Sequence, residues 1–294
     1  MKFSIVLPFY GALVELKRTL KSISSQTISN YELILIDDNK IKMYDSIFLN
    51  NLIKSFNILN AKIIVNTLNM GANYSRNMGI INSNCEYISF IDCGDTWSTN
   101  KLLKESKIIE QNPDLIYSKQ RFVHSYFSVV HNKDHAPNYL KSQMIKSICT
   151  SSSITAKKDI ILDIGLFNID LKSSQDSDLL LRLLNKTKNI IFINSILSSK
   201  IVDKKNSISS NVNYFDNTFI HVRLPYFKLF DRKLKSAVFF SFFTSRLLRN
   251  FKTISLSKEL RNVLKFKPLT FKPYLLLLVK LIYYYFLKLI SKNK

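Results

Sequence analysis

Apolar positions in the first 120 residues follow two alternating periods. Short, branched, nearly unbroken apolar runs occupy 2–7, 31–36, 61–65 and 86–91. Runs of that length and character predict strands buried on both faces. Between them, Leu13, Leu16, Leu20 and Ile23 recur every three or four residues, while Glu15, Lys17, Arg18 and Lys21 fall on other faces. That period predicts an amphipathic helix, and 43–56 and 72–81 read as helices as well. Strand and helix in alternation predict an α/β fold, a mixed, mostly parallel sheet flanked by helices. Sheets of this kind bind ligands at the carboxyl ends of their strands, where the loops gather.

From 114 to 211 the pattern is less regular. An apolar run at 115–117 is followed by a polar stretch with His124, His131 and His135, then Ser151-Ser152-Ser153 and a short helix at 157–164. Gly165-Leu166-Phe167 comes next, and Ser174-Gln175-Asp176-Ser177-Asp178 opens a helix through Leu179, Leu183 and Leu184. Ser173 or Ser174 is the expected N-cap, and acids in the first turn suit the helix dipole.

Composition adds a second part to the molecule. The 294 residues are 46% hydrophobic, enough to build a core, and carry 43 Lys and Arg against 21 Asp and Glu, a net charge of +22. Residues 1–200 hold 24 basic and 17 acidic side chains, a net of +7, and residues 201–294 hold 19 and 4, a net of +15. The expected division is a domain over 1–211 and a basic, aromatic, helical appendage over 212–294. Within 274–290 only Lys280 and Lys288 are charged. That segment is short for a spanning helix, and Lys280 lies mid-segment, so an in-plane helix on an anionic membrane surface is expected. A packed helical subdomain or homodimer interface is the alternative. Single-stranded nucleic acid, favoured by charge alone, has no recognition motif behind it. Cys85, Cys93 and Cys149 form neither a disulfide framework nor a zinc pattern. The short apolar run at the N-terminus is broken by Pro8 and does not read as a signal peptide, so a cytoplasmic protein is expected.

The chemistry gathers at the strand ends. Pro8-Phe9-Tyr10-Gly11 follows the first strand, Asp37-Asp38-Asn39 the second, Asn66 to Gly71 the third, and Asp92-Cys93-Gly94-Asp95 the fourth. Carboxylates crowded into one crevice repel unless a cation or donors offset them. A divalent metal bound to phosphate oxygens would do so.

These segments, in this order, resemble family 2 of the glycosyltransferases, the inverting group with the GT-A fold. FSIVLPFYG resembles its first strand and loop, YELILIDDN its second strand with paired Asp, and NMGANYSRNMGI its N-x-G-x-x-x-A-R-N-x-G segment. YISFIDCGDTWSTNKL is similar to the strand with the D-x-D metal motif, and IGLFNIDLKSSQDSDLLLRL to the block holding the catalytic base. The likeness covers roughly residues 1–210. It implies a metal-dependent hexosyl- or N-acetylhexosaminyltransferase with a nucleotide-sugar donor, a UDP-sugar above all. The acceptor implied is a hydroxyl of a glycan or polyprenyl-linked lipid, in capsule, O-antigen or exopolysaccharide synthesis at the inner face of the cell membrane. Asp38 would bond the nucleobase, with Pro8 and Tyr10 lining its pocket. Arg76 would contact the nucleotide or its phosphates, and Asp92 the ribose or metal. Asp92 and Asp95 would bind Mg2+ or Mn2+, and Asp176 would be the base, with Asp178 the competing carboxylate. Gly94 stands where the family often has a carboxylate, and Gln175 where it has Glu. Those two departures motivate an alternative, an inactive scaffold that binds nucleotide-sugars. Trp97 reads as a packing residue at least as readily as an acceptor platform, His131 and His135 as solvated, and Cys93 as no nucleophile.

Overall fold

The structure, a computed structural model, describes residues 1–39, 43–202, 222–231, 234–235, 237–238 and 241. The segment 274–290, with its expected in-plane helix, lies outside the described residues. The chain divides into two compact units, one of residues 1–143 with 147–208, the other of 144–146 with 209–294. In the second, a 3-10 turn over Leu224–Leu229 is described. Among the described residues no helix is long and apolar enough to cross a membrane.

In the first unit the elements run β1 (Phe3–Phe9), α1 (Leu13–Ser24), β2 (Tyr31–Asp37), α2 (Ser46–Ser55), β3 (Ala61–Val65), α3 (Ala72–Ile81) and β4 (Tyr87–Phe90). They continue with β5 (Thr96–Trp97), α4 (Lys101–Ile108), β6 (Leu115–Val123), β7 (Ser128–His131), α5 (Tyr139–Ile145), β8 (Ile154–Lys157), α6 (Lys158–Asp163), α7 (Gln175–Lys186) and β9 (Ile190–Ile201).

One sheet has the order β3-β2-β1-β4-β8-β6-β9-β5, with β7 paired to β6. Its first four strands are parallel, the arrangement expected from the alternating periods. Beyond β4 the sheet continues antiparallel through β8, and only β6 and β9 pair in parallel there.

Every residue of β1 and β2 is buried because helices cover both faces. Phe3, Ile5, Leu7 and Phe9 point to the layer holding Leu16, Leu20 and Ile23 of α1. Val6, Ile34 and Ile36 point to the opposite layer, with Ile80 of α3 and Leu179, Leu180, Leu183 and Leu184 of α7. Helix α3 lies so close to the sheet that a Cβ on Gly79 would sit 2.5 Å from Val6 Cγ1. That approach seats α3, and the arginine it carries, at the strand ends.

The N-cap of α7 falls on Ser174, one of the two serines expected there. Ser174 holds the N-cap position with a left-handed backbone, φ 55°, and its side chain makes no capping bond. Asp176 and Asp178 in the first turn supply negative charge at that helix end instead.

Candidate functional site

The loop after β4 carries the two central acids. Gly94 has φ +93°, a conformation that penalises any residue with a Cβ. The missing carboxylate at this position therefore has a backbone reason: a tight turn brings Asp95 back toward Asp92. Asp95 donates its N–H to the Asp92 carbonyl at 3.0 Å. Thr19 of α1 pins the turn, accepting from the Gly94 N–H at 2.9 Å and donating to the Asp95 carbonyl at 2.9 Å.

Two cations face Asp92. Arg76 of α3 donates from Nη2 to Oδ1 at 2.6 Å, and Lys200 of β9 places Nζ 3.7 Å from Oδ2. Burial alone would raise the Asp92 carboxyl, but Arg76 and Lys200 more than offset it and hold it below the usual range. Burial would likewise lower Arg76 and Lys200. The charges of Asp92, Asp95 and Asp176 outweigh it and raise both.

Asp95 behaves differently. Its Oδ2 accepts from Ser152 Oγ at 2.6 Å. Burial, joined by the charges of Asp92 and Asp176, pushes its carboxyl up to about 7 despite Lys200 and the Ser152 bond. Cys93, between the acids, is pushed up to about 12, chiefly by burial, and is no nucleophile in that state.

Asp176 enters from the first turn of α7. Ser151 holds both its oxygens, donating its hydroxyl to Oδ1 and its N–H to Oδ2 at 3.2 Å. Asp178 is engaged elsewhere: its Oδ2 accepts from Arg182 Nε at 3.1 Å, and Arg182 also bonds the carbonyls of Ile164 and Leu166. Gln175, the second departure, still accepts from Arg76 Nη1, at 3.2 Å. The guanidinium rests over the Phe167 ring at 5.2 Å, which ties the Gly165-Leu166-Phe167 segment to the site.

The Ser151–Ser153 turn joins the halves. Ser151 reaches Asp176, while Ser152 Oγ donates to Asp95 and accepts the Asp92 N–H at 3.0 Å. The Ser152 carbonyl accepts from Trp97 Nε1 at 2.9 Å, so Trp97 is a buried brace rather than an exposed platform. Beneath it, Lys101 and Glu105 form a buried ion pair at 2.5 Å.

Arg76, Asp92, Asp95 and Asp176 thus form one charged group. Pro8, Tyr10 and Asp38 have separate placements. Pro8 is buried inside β1, in register with Ile36, and Tyr10 is exposed just beyond the strand. Asp38 is buried and binds the loop before α3: Oδ1 accepts from Asn66 Nδ2 at 2.7 Å and Met70 N–H at 2.8 Å, and Oδ2 from Gly71 N–H at 2.8 Å. It thereby anchors the start of the helix that carries Arg76. Lys200 and the serine turn are functional candidates that motif reading misses. Lys200 sits in a polar stretch, Ser198-Ser199-Lys200, and only the pairing of β9 with β6 and β5 brings it to the acids.

Among the described residues no cluster of three or more His, Cys, Asp or Glu could hold a metal on its own. Asp92 and Asp95 nevertheless fit a hard divalent cation. Both offer carboxylate oxygen, and Asp95 is a buried acid disfavoured by neighbouring negative charge. Mg2+ sites commonly take one or two carboxylates and complete their shell with substrate phosphate and water.

The chain is similar to known proteins in sequence and in fold. The model of the family described as glycosyl transferase family 2 matches residues 4–160. An uncharacterized glycosyltransferase from Haemophilus influenzae is 29% identical over 241 residues, 78% of each chain. The Escherichia coli protein WfgD, a UDP-Glc:alpha-D-GlcNAc-diphosphoundecaprenol beta-1,3-glucosyltransferase, is 27% identical over 215 residues, 71% of this chain and 79% of its own. In structure, S. aureus TarS 1-349 in complex with UDP-GlcNAc superposes with a TM-score of 0.65 at 16% identity, over 88% of this chain and 78% of that one. The fold expected from the sequence is the one found in such structures.

Proposed function

The chain belongs to glycosyl transferase family 2 and is a glycosyltransferase, and from that premise we propose its donor, acceptor and chemistry. It transfers a hexosyl or N-acetylhexosaminyl group, with inversion, from a UDP-sugar to a hydroxyl of a polyprenyl-linked glycan. The reaction belongs to the assembly of a bacterial surface polysaccharide at the inner face of the cell membrane. The observation that carries this reading is the convergence of Arg76, Lys200, Asp92 and Asp95 with Asp176, which faces them across the serine turn. WfgD, with its diphosphoundecaprenol-linked acceptor, supports the acceptor class, and TarS with UDP-GlcNAc supports the donor class.

Each residue has a task. Asp176, fixed by Ser151, takes the proton of the attacking hydroxyl, a contribution of typically about 10²–10⁴-fold. A single displacement with one base and no enzyme nucleophile inverts the anomeric carbon. Arg76 and Lys200 hold negative charge that grows on the diphosphate as the glycosidic bond breaks. Asp92 and Asp95 would hold Mg2+ or Mn2+, which when bound would supply Lewis-acid stabilisation of the leaving group. A mannosyltransferase from Pyrobaculum calidifontis, solved with GDP-Man and Mn2+, shares the fold at a TM-score of 0.54 and 12% identity, covering 91% of this chain and 69% of that one. Asp38 fixes the pocket wall that would meet the nucleobase, with Tyr10 at its exposed rim and Pro8 supporting it from within β1.

The test is UDP release from a panel of UDP-sugars, with vesicle-borne polyprenyl diphosphate-sugar acceptors, in Mn2+ and in EDTA. Acceptor-dependent release that EDTA suppresses is expected. No release with any donor and acceptor of these classes would reject the assignment.

A further inference from the structure

Strands β6 and β7 form a hairpin whose β6 arm stays paired with β9 through Val123, so that its turn projects past the end of that pairing. Arg121 pairs with Val130, Phe122 with Val129 and Val123 with Ser128. The turn is closed by the His124 N–H, which donates to the Phe127 carbonyl at 2.8 Å. At its tip Tyr126 is 99% exposed and Phe127 59% exposed. Val129 and Val130 on β7, and Ile201 beside Val123 on β9, are exposed as well. Val129 and Val130 lie on opposite faces of β7, so the apolar surface that projects as one piece is the tip itself, two adjacent exposed aromatics, and exposed patches mark contact surfaces.

The charge around the patch has one sign. Along the chain Arg121 and Lys133, both exposed, flank the turn, and no acidic residue lies between Asp114 and Asp134. Asp134 itself accepts from the Ala136 N–H at 3.0 Å. An aromatic tip with a tyrosine hydroxyl above a basic collar suits a lipid–water interface, where rings enter the acyl boundary and cations meet anionic headgroups. The position suits it too. Phe122 is in register with Lys200, whose Nζ lies 3.7 Å from Asp92 Oδ2, so the hairpin belongs to the part of the sheet that borders the acids.

We propose that the β6–β7 hairpin is a docking surface for an anionic lipid bilayer, with Tyr126 and Phe127 inserted and Arg121 and Lys133 on the headgroups. It would hold the site against the leaflet that carries the acceptor. The inference deepens the proposed lipid-linked acceptor and rests on that reading.

The test uses the full chain with Tyr126→Trp and vesicles of phosphatidylglycerol containing brominated acyl chains. The native Trp97 is buried and serves as the unchanging background. A blue shift of the new tryptophan and its quenching by the bromolipid are expected. Adding Arg121→Glu and Lys133→Glu should abolish both. Unchanged emission would overturn the proposal, even if the chain sediments with the vesicles through another segment. A shift that grows with protein concentration and needs no vesicles would also overturn it, by assigning the hairpin to a second copy. UDP release with a detergent-solubilised polyprenyl diphosphate-sugar acceptor, free of any bilayer, separates the two readings. Intact release with unshifted tryptophan sinks the hairpin alone, whereas absent release with a shifted tryptophan sinks the transferase assignment alone.

Discussion

Replacing Asp95 by Asn should stabilise the metal-free protein, and by an amount that depends on pH in a definite way. The side chain is buried, and its carboxyl is pushed from 3.8 to about 7 by burial together with Asp92 and Asp176. Between those values the folded chain holds a proton that the unfolded chain has released, so wild-type stability falls as pH rises across the interval. Above about 7 both states are ionised and the cost is complete. At about 1.4 kcal/mol per pH unit, the interval amounts to roughly 4 kcal/mol. Asparagine keeps the oxygen that accepts from Ser152 Oγ and carries no charge. Asp95→Asn should therefore match the wild type near pH 4 and exceed it near pH 8. For a unit of this size the gain is about 10 °C in Tm. Far-ultraviolet circular dichroism melts in EDTA, taken at several pH values between these limits, would measure it. Adding Mn2+ near pH 8 should raise the wild-type Tm and leave the variant nearly unchanged. A difference of equal size at both ends of the pH range would refute the reasoning, as would a variant less stable than wild type near pH 8.

Other perturbations act at separate points. Ser151→Ala removes the hydroxyl on Asp176 and leaves the backbone N–H. A hydrogen bond to a charged group contributes about 1.5–3 kcal/mol, so kcat should fall at least about 10-fold with donor KM little changed. Lys200→Met should weaken UDP binding about 10-fold in calorimetry, more at low salt than at high, because it removes the cation beside Asp92 that the proposed mechanism sets against the diphosphate. Gly79→Ala should cost about 1–3 kcal/mol in urea unfolding, because its methyl would meet Val6 at 2.5 Å and α3 must shift.

The first half of the fold was legible because its strands are buried on both faces. Phe3–Phe9 and Tyr31–Asp37 are therefore apolar throughout, while α1 shows its buried stripe at Leu16, Leu20 and Ile23. The antiparallel extension was not legible for opposite reasons. Strand β5 has only two residues and β8 only four. The register of β6 against β9 slips on either side of Lys119, so no single alternation runs through it. The acids at the strand ends could be named because each follows a recognisable strand or helix start. Lys200 could not, since a lysine in a polar strand resembles any solvated charge until its neighbours are known. Ser151-Ser152-Ser153 was visible as a string, but its role depends on bonds to residues 25 and 57 positions away. Gly94 looked like a lost ligand, and its positive φ explains why the turn has glycine there.

The proposed transfer depends on Asp176 as the base of a single displacement. Donor binding and turnover of Asp176→Asn, measured side by side with UDP-sugar, Mn2+ and a polyprenyl-linked acceptor, test it most directly. Affinity for the donor should be unchanged and turnover reduced by at least about 100-fold, the lower end of what a positioned base contributes. Near-wild-type turnover in a folded, donor-binding variant would contradict it.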